Sequence, residues 1–145
     1  MQFPLEIQID RPPTVVWEYL VDPAKMQQWM TGLKKVEQVS SGPNSAGAEH
    51  RITFEERGKV AEMKVVNTAF EPPHHIAIDM SGGNMGKLVM HVDYKLSDLG
   101  GRTRLNYVAS CQLRGMYWLL APLLKLAGNS QAKKFLNNLK RVAEE

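Results

Sequence analysis

The four histidines are the side chains best suited to bind a metal ion or move a proton. His74 and His75 are adjacent, so on a strand they would face opposite sides of the sheet, and His50 and His91 fall on opposite alternation phases of their strands. No His-x-x-x-His or carboxylate–histidine spacing typical of a metal site appears. We therefore expect no metal site, and no cofactor.

Polar side chains also occur in the apolar phase of predicted strands, at His50, Tyr94 and Tyr107, and at Asn67 if its strand keeps register. A buried tyrosine hydroxyl needs a hydrogen-bond partner. The tyrosines are therefore either core residues bonded to backbone or water, or pocket residues that bond a ligand oxygen. His50 is either a half-exposed residue at a strand end or a polar group that fixes a ligand. Both alternatives stay open.

Groups for covalent or acid–base catalysis are sparse. Cys111 is the only cysteine, no base neighbours it in sequence, and its phase predicts a small inward-facing apolar residue. Almost all Asp and Glu residues fall on the outward phase or at turns such as Glu71. This pattern weighs against general acid–base catalysis.

The elements that must position these side chains begin with a strand, since "MQFPLEIQID" alternates apolar and polar residues. "RPPTVVWEYLVD" predicts a first short helix, because prolines suit a first helical turn. In "DPAKMQQWM", Asp22 is a good N-cap and Pro23 a good first residue for a second helix. Met26, Trp29 and Met30 then share one helical face.

The remainder of the chain predicts six strands followed by one long helix. Alternating segments separated by turn residues run from Leu33 to Leu113, and three- and four-residue spacing runs from about Gly115 to Glu145. A kink or break is expected near Pro122, with a second interruption considered at 128–130. An antiparallel sheet with one solvated face must cover the other, and only the long helix is large enough to do so. The sequence thus predicts an α+β fold.

Length and charge limit the function classes. The 145 residues predict a single domain, 1–145. The net charge is +3. The sequence contains no cluster of Lys and Arg interleaved with aromatic residues, the pattern typical of nucleic-acid binding. The opening decapeptide lacks the apolar region of a signal peptide, so we expect a cytoplasmic protein.

A resemblance to a known superfamily covers essentially the whole chain. "VVWEYLVDPAKMQQWM" (15–30) is similar to the V-W-x-x-L-x-D-P…W signature of the helix-grip superfamily called SRPBCC or START-like. Glycine turns at 42, 47 and 58, the "EPPHHI" corner and the closing "FLNNLKRVAEE" helix extend the likeness. This superfamily includes birch-pollen-allergen-type proteins, lipid-transfer domains and polyketide cyclase/dehydrases.

The resemblance implies a curved seven-stranded antiparallel sheet wrapped around the C-terminal helix, with a cavity between them. It further implies a carrier or sensor for a small hydrophobic or amphipathic molecule, lipid- or polyketide-like. The alternatives are a cyclase/dehydrase-type enzyme or a protein-interaction module; the oligomeric state is left open. Together with the alternation phase of the strands, the resemblance predicts the ligand-binding residues Trp17, His50, Phe54, Met63, Ile78, Met90, Tyr94, Tyr107, Leu120 and Leu124.

The segment "MYWLLAPLLKLAG" (116–128) is unusually apolar. It is too short to span a membrane and carries Lys125. On a helix, Leu120 and Leu124 would belong to an inner stripe packed over the open side of the sheet. We predict that this segment is a movable edge of the cavity. Its outer surface would be available for transient contact with a membrane or a partner protein.

Overall fold

Seven strands and three helices follow one another in the described residues, 2–56, 58–82, 89–111 and 121–145, of this computed structural model. The elements are β1 (Gln2–Ile9), α1 (Pro13–Val21), α2 (Pro23–Trp29), β2 (Leu33–Gln38), β3 (Glu49–Glu56), β4 (Lys59–Glu71), β5 (His75–Gly82), β6 (Val89–Asp98), β7 (Thr103–Cys111) and α3 (Ala121–Glu144). This is the order predicted from the sequence.

The strands form one sheet in the order β1-β7-β6-β5-β4-β3-β2, and every neighbouring pair is antiparallel. The predicted α+β helix-grip architecture is confirmed. Residues of α1, α2 and α3 pack with the inner face of the sheet in one apolar core. Its fully buried members include Ile9, Val16, Leu105 and Leu139.

The boundary between the two short helices follows from Asp22 and Pro23. The Asp22 carboxylate accepts a hydrogen bond from the Ala24 backbone N–H at 2.9 Å, which satisfies a donor that the helix itself cannot pair. Pro23 begins α2, where its missing N–H is not needed. The helix start predicted from the sequence is therefore confirmed.

A β-bulge in β4 changes which residues face the core. The register with β5 shifts between Asn67 and Ala69, so the extra residue, Thr68, reverses the alternation phase. Before the bulge, Val65 and Asn67 are buried; beyond it, Phe70 packs against the core. Strict alternation from Val65 would have placed Phe70 on the outer face.

The C-terminal end of α3 is tied to the end of β1. The Arg11 guanidinium donates from Nε to the Ala143 carbonyl oxygen at 3.0 Å. The Lys140 ammonium donates to the Gln8 carbonyl oxygen at 2.7 Å. A cation near the last carbonyl groups of a helix is also attracted by the negative end of the helix dipole. This end of α3 is thus fixed against the edge of the sheet.

Helix α3 runs without a break from Ala121 to Glu144, so the interruption considered at 128–130 is wrong. The single Gly in this stretch costs about 1 kcal/mol relative to Ala, and burial of the apolar stripe that includes Leu136 and Leu139 outweighs that cost. The kink expected near Pro122 adjoins residues 112–120, which lie outside the described residues. None of the helices in the described part of the chain has the length and hydropathy needed to cross a membrane.

Candidate ligand-binding cavity

A cavity of about 260 Å³ lies between the inner face of the sheet and helices α2 and α3. Its walls are predominantly apolar. The sheet contributes Leu33, Val36, Ile52, Phe54, Val65, Ile76, Ile78, Met80, Met90, Val92 and Ala109; the helices contribute Leu20, Val21, Met26, Trp29, Met30, Ala132 and Phe135. A volume of this size and lining suits a small apolar molecule.

Tyr94 and Tyr107 form the polar group at one end of the cavity. They are directly paired across β6 and β7, with ring centroids 5.3 Å apart and ring planes inclined by 66°. Burial, and secondarily the neighbouring Tyr107, raises the pKa of Tyr94, while burial raises the pKa of Tyr107 to about 12. Both phenols therefore stay protonated at physiological pH and can donate a hydrogen bond into the cavity. No hydrogen bond joins either hydroxyl to another residue in the described ranges.

His50 reaches the cavity from β3, where it pairs with Val65 of β4. Burial lowers the pKa of this imidazole from its usual value, because an apolar surrounding disfavours the charged form. The ring is half-buried and neutral near pH 7, so one nitrogen can donate and the other accept.

Asn67, only 3% exposed, lines the cavity close to His50 and holds the loop between β2 and β3. Its Nδ2 atom donates to Asn44 Oδ1 at 2.7 Å and to the Ser45 carbonyl oxygen at 2.9 Å. Its backbone carbonyl accepts from the Gly47 N–H at 2.8 Å. Both side-chain donors are therefore used by the loop, which leaves the Oδ1 atom as an acceptor. Asn44 itself also lines the cavity.

Trp29 forms part of the helical wall, although it was not among the predicted ligand-binding residues. It shares its helix face with Met26 and Met30, and all three line the cavity. The i, i+3, i+4 spacing predicted this common face from the sequence. The spacing did not predict that α2 lies over the cavity, because the position of a helix depends on long-range packing.

The predicted site residues divide into three groups. His50, Phe54, Ile78, Met90, Tyr94 and Tyr107 line the cavity. Trp17 and Met63 do not line it. The side chains of Leu120 and Leu124, like every side chain of the predicted movable edge at 116–128, lie outside the described part of the structure.

Trp17 and Met63 lie elsewhere for separate reasons. Trp17 is buried in the core, where its ring meets Phe70 edge to face at a centroid distance of 5.3 Å. Met63 occupies the expected face of β4, paired with Ile52 and Gly82, but lies further along the strand than the lining residue Val65. The alternation phase of a residue predicts which face of the sheet its side chain is on. It does not predict how far a cavity extends along the strand.

Two of the remaining histidines lie on strands at the opposite, outer face of the sheet. His75 Nε2 is 3.0 Å from Asp93 Oδ2, and His91 is hydrogen-bonded to Asp79. His74 lies in the turn before β5, with its Nδ1 atom 3.4 Å from the Leu96 carbonyl oxygen. In the described part of the chain, no three acidic, histidine or cysteine side chains form a metal-binding group.

Comparison with solved structures shows the same fold at low sequence identity. The Zhui aromatase/cyclase from Streptomyces sp. R1128 is 16% identical, with a TM-score of 0.78 over 99% of this chain and 93% of that one. The protein Ara h 8.0201 is 17% identical, with a TM-score of 0.79 over 99% and 97%. A conserved protein from Geobacillus kaustophilus is 16% identical, with a TM-score of 0.79 over 99% and 95%.

The comparison with curated proteins finds no match. A family model described as "Polyketide cyclase / dehydrase and lipid transport" matches residues 2–144. That match includes every strand and helix around the cavity. The chain therefore belongs to the polyketide cyclase/dehydrase and lipid transport family, within the SRPBCC-like superfamily that its sequence resembles.

Proposed function

We propose that this protein is a carrier or sensor that binds a small hydrophobic or amphipathic molecule, lipid- or polyketide-like, in the cavity between the sheet and α3. The observation that carries the proposal is the cavity itself, about 260 Å³ with mainly apolar walls and a few polar groups. Ligand sites of small molecules have this composition, in which apolar area supplies affinity and a few polar atoms fix orientation. Membership of a lipid-transport and cyclase family supports the same assignment.

Binding is tested with N-phenyl-1-naphthylamine, an uncharged probe whose fluorescence rises in apolar surroundings. We expect saturable binding to the wild-type protein and its loss in Ala109→Phe, which fills the cavity from β7. If that variant does not fold, Ala132→Phe fills the same cavity from α3.

The matched control is Ala77→Phe, which adds the same side-chain volume outside the cavity. Ala77 lies between the lining residues Ile76 and Ile78 on β5, so its side chain projects from the opposite face of the sheet. The control should bind the probe as the wild type does. Equal binding by all folded variants, or none by the wild type, would contradict the proposal. If the wild type binds the probe as expected, native mass spectrometry of gently purified protein identifies any molecule carried from the cell.

A second candidate is an enzyme of the cyclase/dehydrase type. The observation that favours it is that two protonated phenols and a neutral imidazole line one apolar cavity. Phenols can polarise a carbonyl group and a neutral imidazole can accept a proton. Turnover of a short poly-β-ketone thioester, slowed in Tyr94→Phe and His50→Gln, would support this candidate; binding of the thioester without product would reject it.

A protein-interaction module has less support. The large apolar side chains that the described residues leave exposed are Val39, Val60, Val89 and Leu99. They belong to different strands and loops rather than to one element. An interaction module is expected to present a contiguous apolar patch over a filled core.

A further inference from the structure

We propose that the ligand is elongated and carries an oxygen function at each end, one bound deep in the cavity by Tyr94 and Tyr107 and the other near its mouth by Asn67 and His50. This inference rests on the proposed binding function and adds to it the chemical class of the ligand. It derives from where the four polar groups lie relative to one another on the sheet.

The tyrosine pair marks the deep end. Next to it in one direction along β6 and β7 is the pair Val92–Ala109, which lines the cavity. In the other direction is the pair Leu96–Leu105, which is 4% and 0% exposed and belongs to the solid core. The two phenols therefore lie at the end of the cavity that borders the solid core.

The second polar group lies where the lining approaches solvent. Asn44, half-buried, and Gln131, exposed, line the cavity together with His50 and Asn67. The Asn67 amide nitrogen is already committed to the loop, so its Oδ1 atom offers an acceptor. His50 adds a neutral ring that can donate or accept. A hydroxyl group, which does both, fits this pair of partners.

Apolar surface separates the two groups. Across the sheet, Asn67 pairs with Ile78, Ile78 pairs with Val92, and Tyr94 is the next inward residue on the Val92 strand. Two strand spacings and one inward step along a strand place the Cα atoms of Asn67 and Tyr94 on the order of 12 Å apart. Because the two groups stand on different strands with Ile78 and Val92 between them, we assign a separate ligand oxygen to each group.

The test compares three uncharged probes of one shape: biphenyl, 4-hydroxybiphenyl and 4,4′-dihydroxybiphenyl. Each displaces N-phenyl-1-naphthylamine from the wild-type protein, and the displacement curves give the dissociation constants. We expect each added hydroxyl to tighten binding by roughly twofold to tenfold, the range expected for one neutral hydrogen bond. The diol should therefore bind more tightly than the mono-alcohol.

Variants assign the two ends. In the double variant Tyr94→Phe/Tyr107→Phe, the diol should no longer bind more tightly than the mono-alcohol. In His50→Leu, the difference between their dissociation constants should become smaller. The single tyrosine variants replace the double variant if that one does not fold. Tyr19→Phe is the matched control, because the Tyr19 hydroxyl bonds the Val142 carbonyl oxygen and lies outside the cavity lining. It should keep the full advantage of the diol.

Three negative results are distinguishable. If N-phenyl-1-naphthylamine and biphenyl bind while all three probes have equal affinity, the two-ended ligand is wrong and the binding function stands. If the diol advantage survives in the double tyrosine variant, the phenols do not form the deep end and the inference is likewise overturned. If no apolar probe binds the wild type, the proposed function itself fails.

Discussion

The indole of Trp29 meets the ring of Phe135 edge to face, with 6.2 Å between the ring centroids and 86° between the ring planes. The same indole donates its N–H to the Tyr19 carbonyl oxygen at 2.7 Å. Trp29 thus links α1, α2 and α3, and it is only 1% exposed although it lines the cavity. One side chain therefore supports both the packing of the helices and the wall of the site.

Replacing Trp29 should show how much its ring and its hydrogen bond contribute to the stability of the fold. Trp29→Ala is expected to lower the free energy of unfolding by about 3–5 kcal/mol, as for other large buried aromatic residues. Trp29→Phe keeps an aromatic ring but loses the bond to the Tyr19 carbonyl, so its loss should be smaller. Urea denaturation followed by circular dichroism measures both. A loss below about 1 kcal/mol for the alanine variant would show that the helices pack without this residue.

The tyrosine pair should matter more for binding than for stability. Tyr94→Phe and Tyr107→Phe keep the edge-to-face ring contact and remove only the hydroxyl groups. Each should weaken binding of 4,4′-dihydroxybiphenyl by about 0.5–1.5 kcal/mol, since one neutral hydrogen bond is lost. The free energy of unfolding without ligand should change less. Unchanged affinity in both variants, measured by titration, would mean that the hydroxyls serve only the core.

His50 should make binding and stability depend on pH. Burial lowers the pKa of His50 below its usual value of 6.5, so the unfolded chain takes up this proton more readily than the folded protein. The neutral His50 ring therefore contributes to stability at pH values above 6.5, its pKa in the unfolded chain. That contribution is lost as the pH falls through 6.5 toward the lower pKa of His50 in the folded protein. The charged ring would also oppose an apolar ligand.

The comparison of wild type with His50→Gln isolates this effect from the other histidines. Between pH 7 and pH 5, the wild type should lose more stability and more affinity for N-phenyl-1-naphthylamine than the glutamine variant. Denaturation midpoints and titrations at each pH give the two slopes. Parallel slopes in the two proteins would rule out His50 as the titrating group.

Asn67 should hold the loop of residues 39–48. Asn67→Ala removes both side-chain bonds to Asn44 and Ser45, and should cost about 1–3 kcal/mol of stability because two hydrogen bonds of about 0.5–1.5 kcal/mol each are lost. Amide hydrogen exchange in the loop should accelerate. Thr68→Ala, at the exposed neighbouring residue, is the control and should leave loop exchange unchanged. A protected loop in Asn67→Ala would show that the backbone bonds alone suffice.

The side chains of the apolar segment 116–128 all lie outside the described part of the structure, so its role as a movable edge stays a sequence-based prediction. Amides from about 116 to 130 should exchange faster than those of 131–142, and should slow when N-phenyl-1-naphthylamine is added. Uniform protection of the two stretches, with or without the probe, would identify the segment as ordinary core.

Alternation of apolar residues predicted the sheet because each strand has one buried face, and it placed Ile78, Met90, Tyr94 and Tyr107 on that face. It could not predict the bulge at Thr68, since an extra residue depends on how β4 meets β5. Trp17 was expected at the cavity because it lies on the apolar face of the first helix and because the family resemblance implies a cavity there. Its position is instead set by Phe70, whose inward orientation follows from that bulge.

The largest fully buried side chains are Trp29, Ile9, Leu105, Leu139, Val16 and Thr103, and of these only Trp29 lines the cavity. Most of the largest fully buried side chains therefore lie away from the positions that would contact a ligand. Substitutions at Ile78, Met80 or Met90 can change the shape of the cavity while this core, and the attachment of α3 through Arg11, stays intact. Natural selection can therefore alter ligand preference in small steps at these three partly buried positions, and directed evolution can mutate them together while leaving the fully buried side chains unchanged.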